Sequence, residues 1–262
     1  LFQTNTYNLG WALTRAGRFD EAAAIFKQMQ LDFPQSPFPY QGLADIYFSQ
    51  GNLVGAIAEA QSAIKQSPEN HTLGHKLISP MVNLGLTEIV KQMANDPAWA
   101  STADFYQETL LIFERDFTEL FARMDFKLAT NPDDYWLQFE AGWYQAMFGD
   151  KQQALKLFTE QFSLVDEAER FGMPHCSPAI EVAWAESELG NKTVAHSLIK
   201  QCQSLLEQQL QASISYFELH YLAARIAALK GQPAEAVQAL AKAIDIGWRE
   251  RGTKYDPLLA SL

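Results

Sequence analysis

The stretch YNLGWALTRAGRFDEAAAIFKQMQLDFP (Tyr7–Pro34) returns as YQGLADIYFSQGNLVGAIAEAQSAIKQSP (Tyr40–Pro68), with Gly51, Ala56 and Pro68 each 34 positions after Gly17, Ala22 and Pro34. A recurring unit of this length constrains the chain strongly. One helical hairpin cannot bury its apolar face alone, so successive hairpins must stack to close a shared core. Each interior glycine costs a helix about 1 kcal/mol relative to alanine, so Gly10 and Gly17 need a structural reason. Gly17 is expected to end the first helix in a left-handed turn. Gly10 is expected to let the partner helix approach closely, near Ala22. Pro34 stops the second helix and starts the next unit.

Leu9, Gly10, Gly17, Ala22, Phe26 and Pro34, followed by Tyr40, Leu43, Ala44, Tyr47, Gly51, Ala56, Ala63 and Pro68, resemble the tetratricopeptide-repeat motif position by position. About seven such units can be traced. Gly85 marks a degenerate third unit whose first helix holds Pro80, where a kink or break is expected. Phe117 and Pro132 mark a fourth, in which Arg115 stands where the turn glycine belongs. Gly142, Gly149, Ala154 and Phe158 mark a fifth; Ala183, Gly190 and Ala195 a sixth. Ala223, Ala224, Gly231, Ala236, Leu240 and Ala243 mark the last. The resemblance implies an all-α, right-handed, curved α-solenoid with essentially no strand. Its first helices line the concave side, and Leu258, Leu259 and Leu262 form a C-terminal cap. Units one to three occupy residues 3–97 and units four to seven with the cap residues 98–262, continuous with the first. The alternative is two subdomains meeting near residues 95–100. The closing stretch AIDIGWRERGTKYDPLLASL is similar to the ends of tetratricopeptide regions in bacterial multidomain regulators.

The charge balance narrows the partner. There are 31 acidic and 20 basic residues, a formal net charge of -11, with no long basic run. Nucleic acid is therefore not expected, because phosphate binding needs clustered Lys and Arg. No apolar stretch is long enough to span a bilayer. The first residue is Leu1 rather than Met, which reads as a processed or excised piece. Two cysteines are too few for a disulfide scaffold. Cys176 is expected to open the first helix of the sixth unit and Cys202 to sit late in the second, level across the turn at Gly190 and Asn191. Facing inward, they would bridge; the alternative is two buried thiols. A bridge would favour a periplasmic over a cytoplasmic location.

Chemistry is sparse. His71 and His75 stand four apart, a spacing that can hold a metal, but no third ligand accompanies them, and no metal is expected. Cys176 beside His175 lacks the orienting third group a nucleophile needs. No nucleophile elbow, phosphate-binding loop or dinucleotide fingerprint occurs. Glu21, Asp45 and Glu59 read as solvated carboxylates. The expectation is no enzyme and no cofactor.

One repeat position stands out. The residue after each small packing residue is turned about 100° around the helix, toward the concave side. It is Trp11, Trp143 and Trp184, three of six tryptophans. Tyr7, Arg15, Phe38, Asp45, Phe48, Phe105, Trp136, Phe139, Ile180, Tyr221 and Arg225 share that face. Aromatics with a few Arg and Asp make binding hot spots. The same stripe at helical spacing also serves as core, so a groove and a packed interior both remain open. The functional readings are a scaffold holding a peptide or partner protein, a ligand-sensing part of a bacterial regulator, and an accessory tail of a hydrolase. Homo-oligomerisation is left open.

Overall fold

The computed structural model describes residues 2–68, 70, 72–94, 99, 106–162, 165, 170–172, 176–211, 217–260 and 262. Among them are fourteen α-helices: α1 Phe2–Arg15, α2 Phe19–Asp32, α3 Phe38–Ser49, α4 Leu53–Gln66, α5 Thr72–Leu84, α6 Thr87–Ala94, α7 Gln107–Glu114, α8 Phe117–Thr130, α9 Tyr135–Phe148, α10 Lys151–Phe162, α11 Ala179–Glu188, α12 Lys192–Gln211, α13 Phe217–Leu229 and α14 Pro233–Asp245. Two 3-10 turns, Arg251–Tyr255 and Pro257–Leu259, follow. The fold is an all-α repeat solenoid. A two-residue antiparallel ladder, β1 Phe171–Gly172 against β2 Ser177–Pro178, is a small departure from the strand-free expectation.

The chain divides into two compact units. One comprises Leu1–Glu114, Ile214–Phe217 and Ile244–Glu250; the other comprises Arg115–Ser213, Glu218–Ala243 and Arg251–Leu262. Residues 95–98 and 100, where a subdomain boundary was considered, lie outside the described residues.

Within the hairpins, one turn recurs. Gly17, Gly51, Gly85, Gly190 and Gly231 take φ between 70° and 86°. At the second of these, Gly51 N–H donates to Phe48 O at 2.9 Å and Asn52 N–H to Tyr47 O at 2.8 Å, the paired bonds of a Schellman closure. The same pair of offsets occurs at the other four. Arg115 takes φ 63° in the fourth turn, so the glycine's conformation survives without the glycine. Gly149 does not follow the rule. It sits at φ -126°, and the α9–α10 turn is closed by Gln145 Oε1, which accepts from Asp150 N–H at 2.8 Å.

Phe26, one helical turn beyond Ala22 on α2, holds the atoms closest to Gly10. A Cβ built there would stand 2.6 Å from Phe26 Cζ, and one at Gly42 2.4 Å from the same atom. A fully buried ring therefore fills a slot left by two missing side chains. Phe158 repeats the arrangement in the second unit, 2.8 Å from a Cβ built at Gly142. Pro80 lies inside α5 without ending it. Leu77, Ile78, Met81 and Val82, on both sides of Pro80, are buried in one cluster, and that packing offsets the lost backbone bond. At the C-terminus Leu258 and Leu259 are buried, whereas Leu262 is exposed, its N–H donating to Leu259 O at 3.0 Å.

Candidate functional site

In the first unit, the first helices of successive hairpins are α1, α3 and α5. Between α3 and α5 lies a cavity of about 240 Å³ lined by Ala44, Asp45, Phe48, His75, Lys76, Ser79 and Pro80. Trp11, Asp45 and Ser79 are each 34 residues apart, so the repeat position read from the sequence puts two of its members on the cavity wall. The volume lies below the range for drug-sized ligands and suits one large side chain.

Asp45 organises the electrostatics. Its Oδ1 accepts from Lys76 Nζ at 2.5 Å, with the two side chains 23% and 33% exposed. Burial nevertheless raises the Asp45 pKa, against the pull of Lys76. Tyr7 on α1 is pushed up to about 12 by burial and then by the Asp45 charge. Its ring lies 5.2 Å from that of Phe38 and 5.8 Å from that of Phe26. Tyr106, just before α7, donates to His75 O on α5 at 3.3 Å and is pushed up to about 12 by burial, eased by a bond to Ser79 and reinforced by Glu250. The Glu250 carboxyl is raised by burial, with Asn83 donating to it.

The remaining aromatic positions divide. Trp11 is 50% exposed, Trp136 46% and Phe38 40%. Tyr7, Phe48, Trp143 and Tyr221 are half-buried. The side chain of Arg15, and Phe105, lie outside the described residues. Phe139, Ile180, Trp184 and Arg225 are buried in the second unit. Phe158 packs among three rings of the stripe, its ring centroid 4.8 Å from Phe139 and 6.2 Å from both Trp143 and Trp184. Those three rings gather around Phe158, while Trp136 of the same unit stays exposed.

Arg225 also has an internal purpose. It pairs with Glu181 at 2.7 Å and stands 3.1 Å from Asp256, all three nearly fully buried. Its guanidinium lies 5.2 Å from the Trp143 ring, and Tyr221 donates to Asp256 at 2.5 Å. Burial opposes the Arg225 charge, but Asp256 and Glu181 together raise its pKa. Burial and the Asp256 charge raise that of Tyr221. Asp256 in turn caps the last 3-10 turn through Leu258 N–H at 2.9 Å. Sequence reasoning singled out neither Glu181 nor Asp256, which are 44 and 31 residues from Arg225. It also passed over Lys76 and Ser79; only Ser79 was recoverable, as the next member of the Trp11–Asp45 series.

Cys176 and Cys202 form a disulfide with Cα atoms 5.8 Å apart. Cys176 does not open α11. It sits at φ 53° in the turn before it, accepting from Ile180 N–H at 3.0 Å. His71 and His175 lie outside the described residues. Among the described residues no group of three His, Cys, Asp or Glu could hold a metal ion, and no helix is long and apolar enough to cross a membrane.

Tetratricopeptide-repeat family models match residues 13–79 and 217–246. No curated protein sequence matches. Among solved structures, one chain of the APC/C hetero-tetramer Cut9-Hcn1 aligns over 96% of this chain and 47% of its own length, with TM-score 0.51 and 14% identity. This chain thus spans about half of that one. A tetratricopeptide repeat protein from Parabacteroides merdae aligns over 98% and 97% of the two chains, with TM-score 0.48 and 17% identity. At these identities the likeness concerns the fold alone. With the paired family matches, the recurring Schellman turns and the glycine-bounded phenylalanine slots, the chain carries tetratricopeptide repeats over residues 13–79 and 217–246.

Proposed function

We propose that this protein is a non-enzymatic scaffold that holds an extended peptide segment of a partner protein along the first-helix face of its first unit. Tetratricopeptide folds are protein-interaction scaffolds in general. The observation that carries the more specific reading is the cavity at Asp45, Phe48 and Lys76. Tyr7 on α1 is close enough to feel the Asp45 charge and packs its ring 5.2 Å from that of Phe38, with Trp11 one helical turn beyond Tyr7 on α1. An aromatic ring in the wall of a pocket of side-chain size, with further aromatics on the same unit, is the composition of an interface anchor. The Cys176–Cys202 disulfide supports an oxidising compartment, and of the two locations considered it favours the periplasm.

The test is a displayed library of random twelve-residue peptides selected on the immobilised full chain. The expected result is enrichment of a common motif, with capture lost in a Trp11→Ala, Phe48→Ala double variant whose circular dichroism is unchanged. Neither ring is fully buried, so the fold should tolerate both changes. Absence of any enriched motif overturns the reading, as does full capture by the double variant.

A further inference from the structure

We propose that the cavity between α3 and α5 is an arginine pocket, taking the guanidinium of one arginine side chain of the bound peptide. The inference rests on the peptide-scaffold reading and names the chemistry of its anchor residue.

Three observations carry it. First, among the described residues Asp45 accepts through Oδ1 from Lys76, and its second oxygen accepts no hydrogen bond. A carboxylate on a cavity wall with an open oxygen offers an acceptor to an incoming donor. Arginine supplies several donors in a planar fork, so one guanidinium can bond this oxygen without displacing Lys76. Second, Phe48 lines the same cavity. A guanidinium stacks on an aromatic face and is more weakly hydrated than an ammonium, so it loses less on entering a partly apolar space. Ala44 and Pro80 complete an apolar wall for the methylene stem.

Third, the local charge is unbalanced. Asp45 and Glu250 are two carboxylates within the first unit, and Glu250 accepts from Asn83, one helical turn beyond cavity-lining Ser79 on α5. Lys76 is the ammonium that pairs with Asp45 from the cavity wall. An acidic side chain entering here meets the Asp45 carboxylate at the wall; a basic one can share that carboxylate with Lys76. Burial raises both carboxyl pKa values, the direction expected where carboxylates have less positive charge nearby than their desolvation requires. The formal net charge of -11 extends the same preference to long range and favours a basic partner.

The peptides enriched on the full chain supply the probe. The expected motif contains one invariant arginine. Replacing that arginine by citrulline, which keeps the shape and removes the charge, should weaken binding by about tenfold or more, as for loss of a charge-assisted hydrogen bond. Asp45→Asn should weaken the arginine peptide to a similar degree and leave the citrulline peptide unaffected. Lys76→Met provides the second arm. It removes the competing ammonium and should tighten the arginine peptide, an effect that a merely structural Asp45–Lys76 pair would not give. Enrichment of motifs without a basic residue overturns the arginine pocket while leaving the scaffold intact. Equal affinity for the arginine and citrulline peptides does the same. Absence of any enriched motif overturns both.

Discussion

Gly42 faces the ring of Phe26 so closely that a Cβ at position 42 would lie 2.4 Å from Phe26 Cζ. Real carbon atoms do not approach to that distance, and Phe26 is fully buried and has nowhere to retreat. Gly42→Ala is therefore expected to destabilise the first unit by about 1–3 kcal/mol, the usual cost of overpacking. Phe26→Leu in the same chain should recover part of the loss by shortening the side chain that clashes. Thermal unfolding followed by circular dichroism reads both; additive losses in the double variant would contradict the slot.

Gly247 makes a second contact that no side chain can share. It sits at φ 126°, and a Cβ there would fall 2.0 Å from the Ser49 carbonyl oxygen in the α3 turn. Both the dihedral angle and the neighbouring backbone exclude alanine. Gly247→Ala should expel residues 244–250 from the first unit. Hydrogen exchange should then rise at Ser49–Asn52. Unchanged protection there would show that the segment contributes nothing to the turn.

Arg225 stands between two buried carboxylates, 2.7 Å from Glu181 and 3.1 Å from Asp256. Arg225→Met leaves both without their counter-charge. Breaking such a buried pair from one side costs about 3–5 kcal/mol. Adding Glu181→Gln and Asp256→Asn should restore much of the stability, because the uncompensated charges are then gone. Denaturant unfolding of the single and triple variants measures this; a triple variant no more stable than the single one contradicts the electrostatic account.

Burial raises the Glu250 carboxyl above its ordinary value near 4.5. The folded chain therefore holds this proton at pH values where the unfolded chain has lost it. By linkage, the contribution to stability is fully present below about 4.5 and falls as pH rises through the raised folded value. Above that value a constant penalty remains. Glu250→Gln should remove this pH-dependent loss and be more stable than the parent at neutral pH while matching it in acid. Melting temperatures across pH 4 to 8 are the measurement. A variant that melts below the parent at neutral pH would show that the Asn83 bond outweighs the desolvation.

The sequence determined the class of fold, because its information there is periodic. Glycines 34 residues apart at Gly17, Gly51 and Gly85, with Ala22 and Ala56 at matching places, require a hairpin turn and a close helix contact in each of those units, and neither depends on distant parts of the chain. Even Arg115 could be placed by counting, although nothing in its own chemistry favours a left-handed turn. The repeat position holding Trp11, Asp45 and Ser79 was readable in the same way. Tertiary structure alone decided which members of the aromatic stripe became core. Trp11 and Trp184 occupy the same repeat position, yet one is half exposed and the other buried beside Phe158. Helical periodicity fixes the direction in which a side chain points; it does not fix how much of its surroundings is filled. The joining of Arg225 to Glu181 and Asp256, and of Gly247 to Ser49, likewise falls outside any repeat. These contacts link residues with no periodic relation, so only the folded chain brings them together.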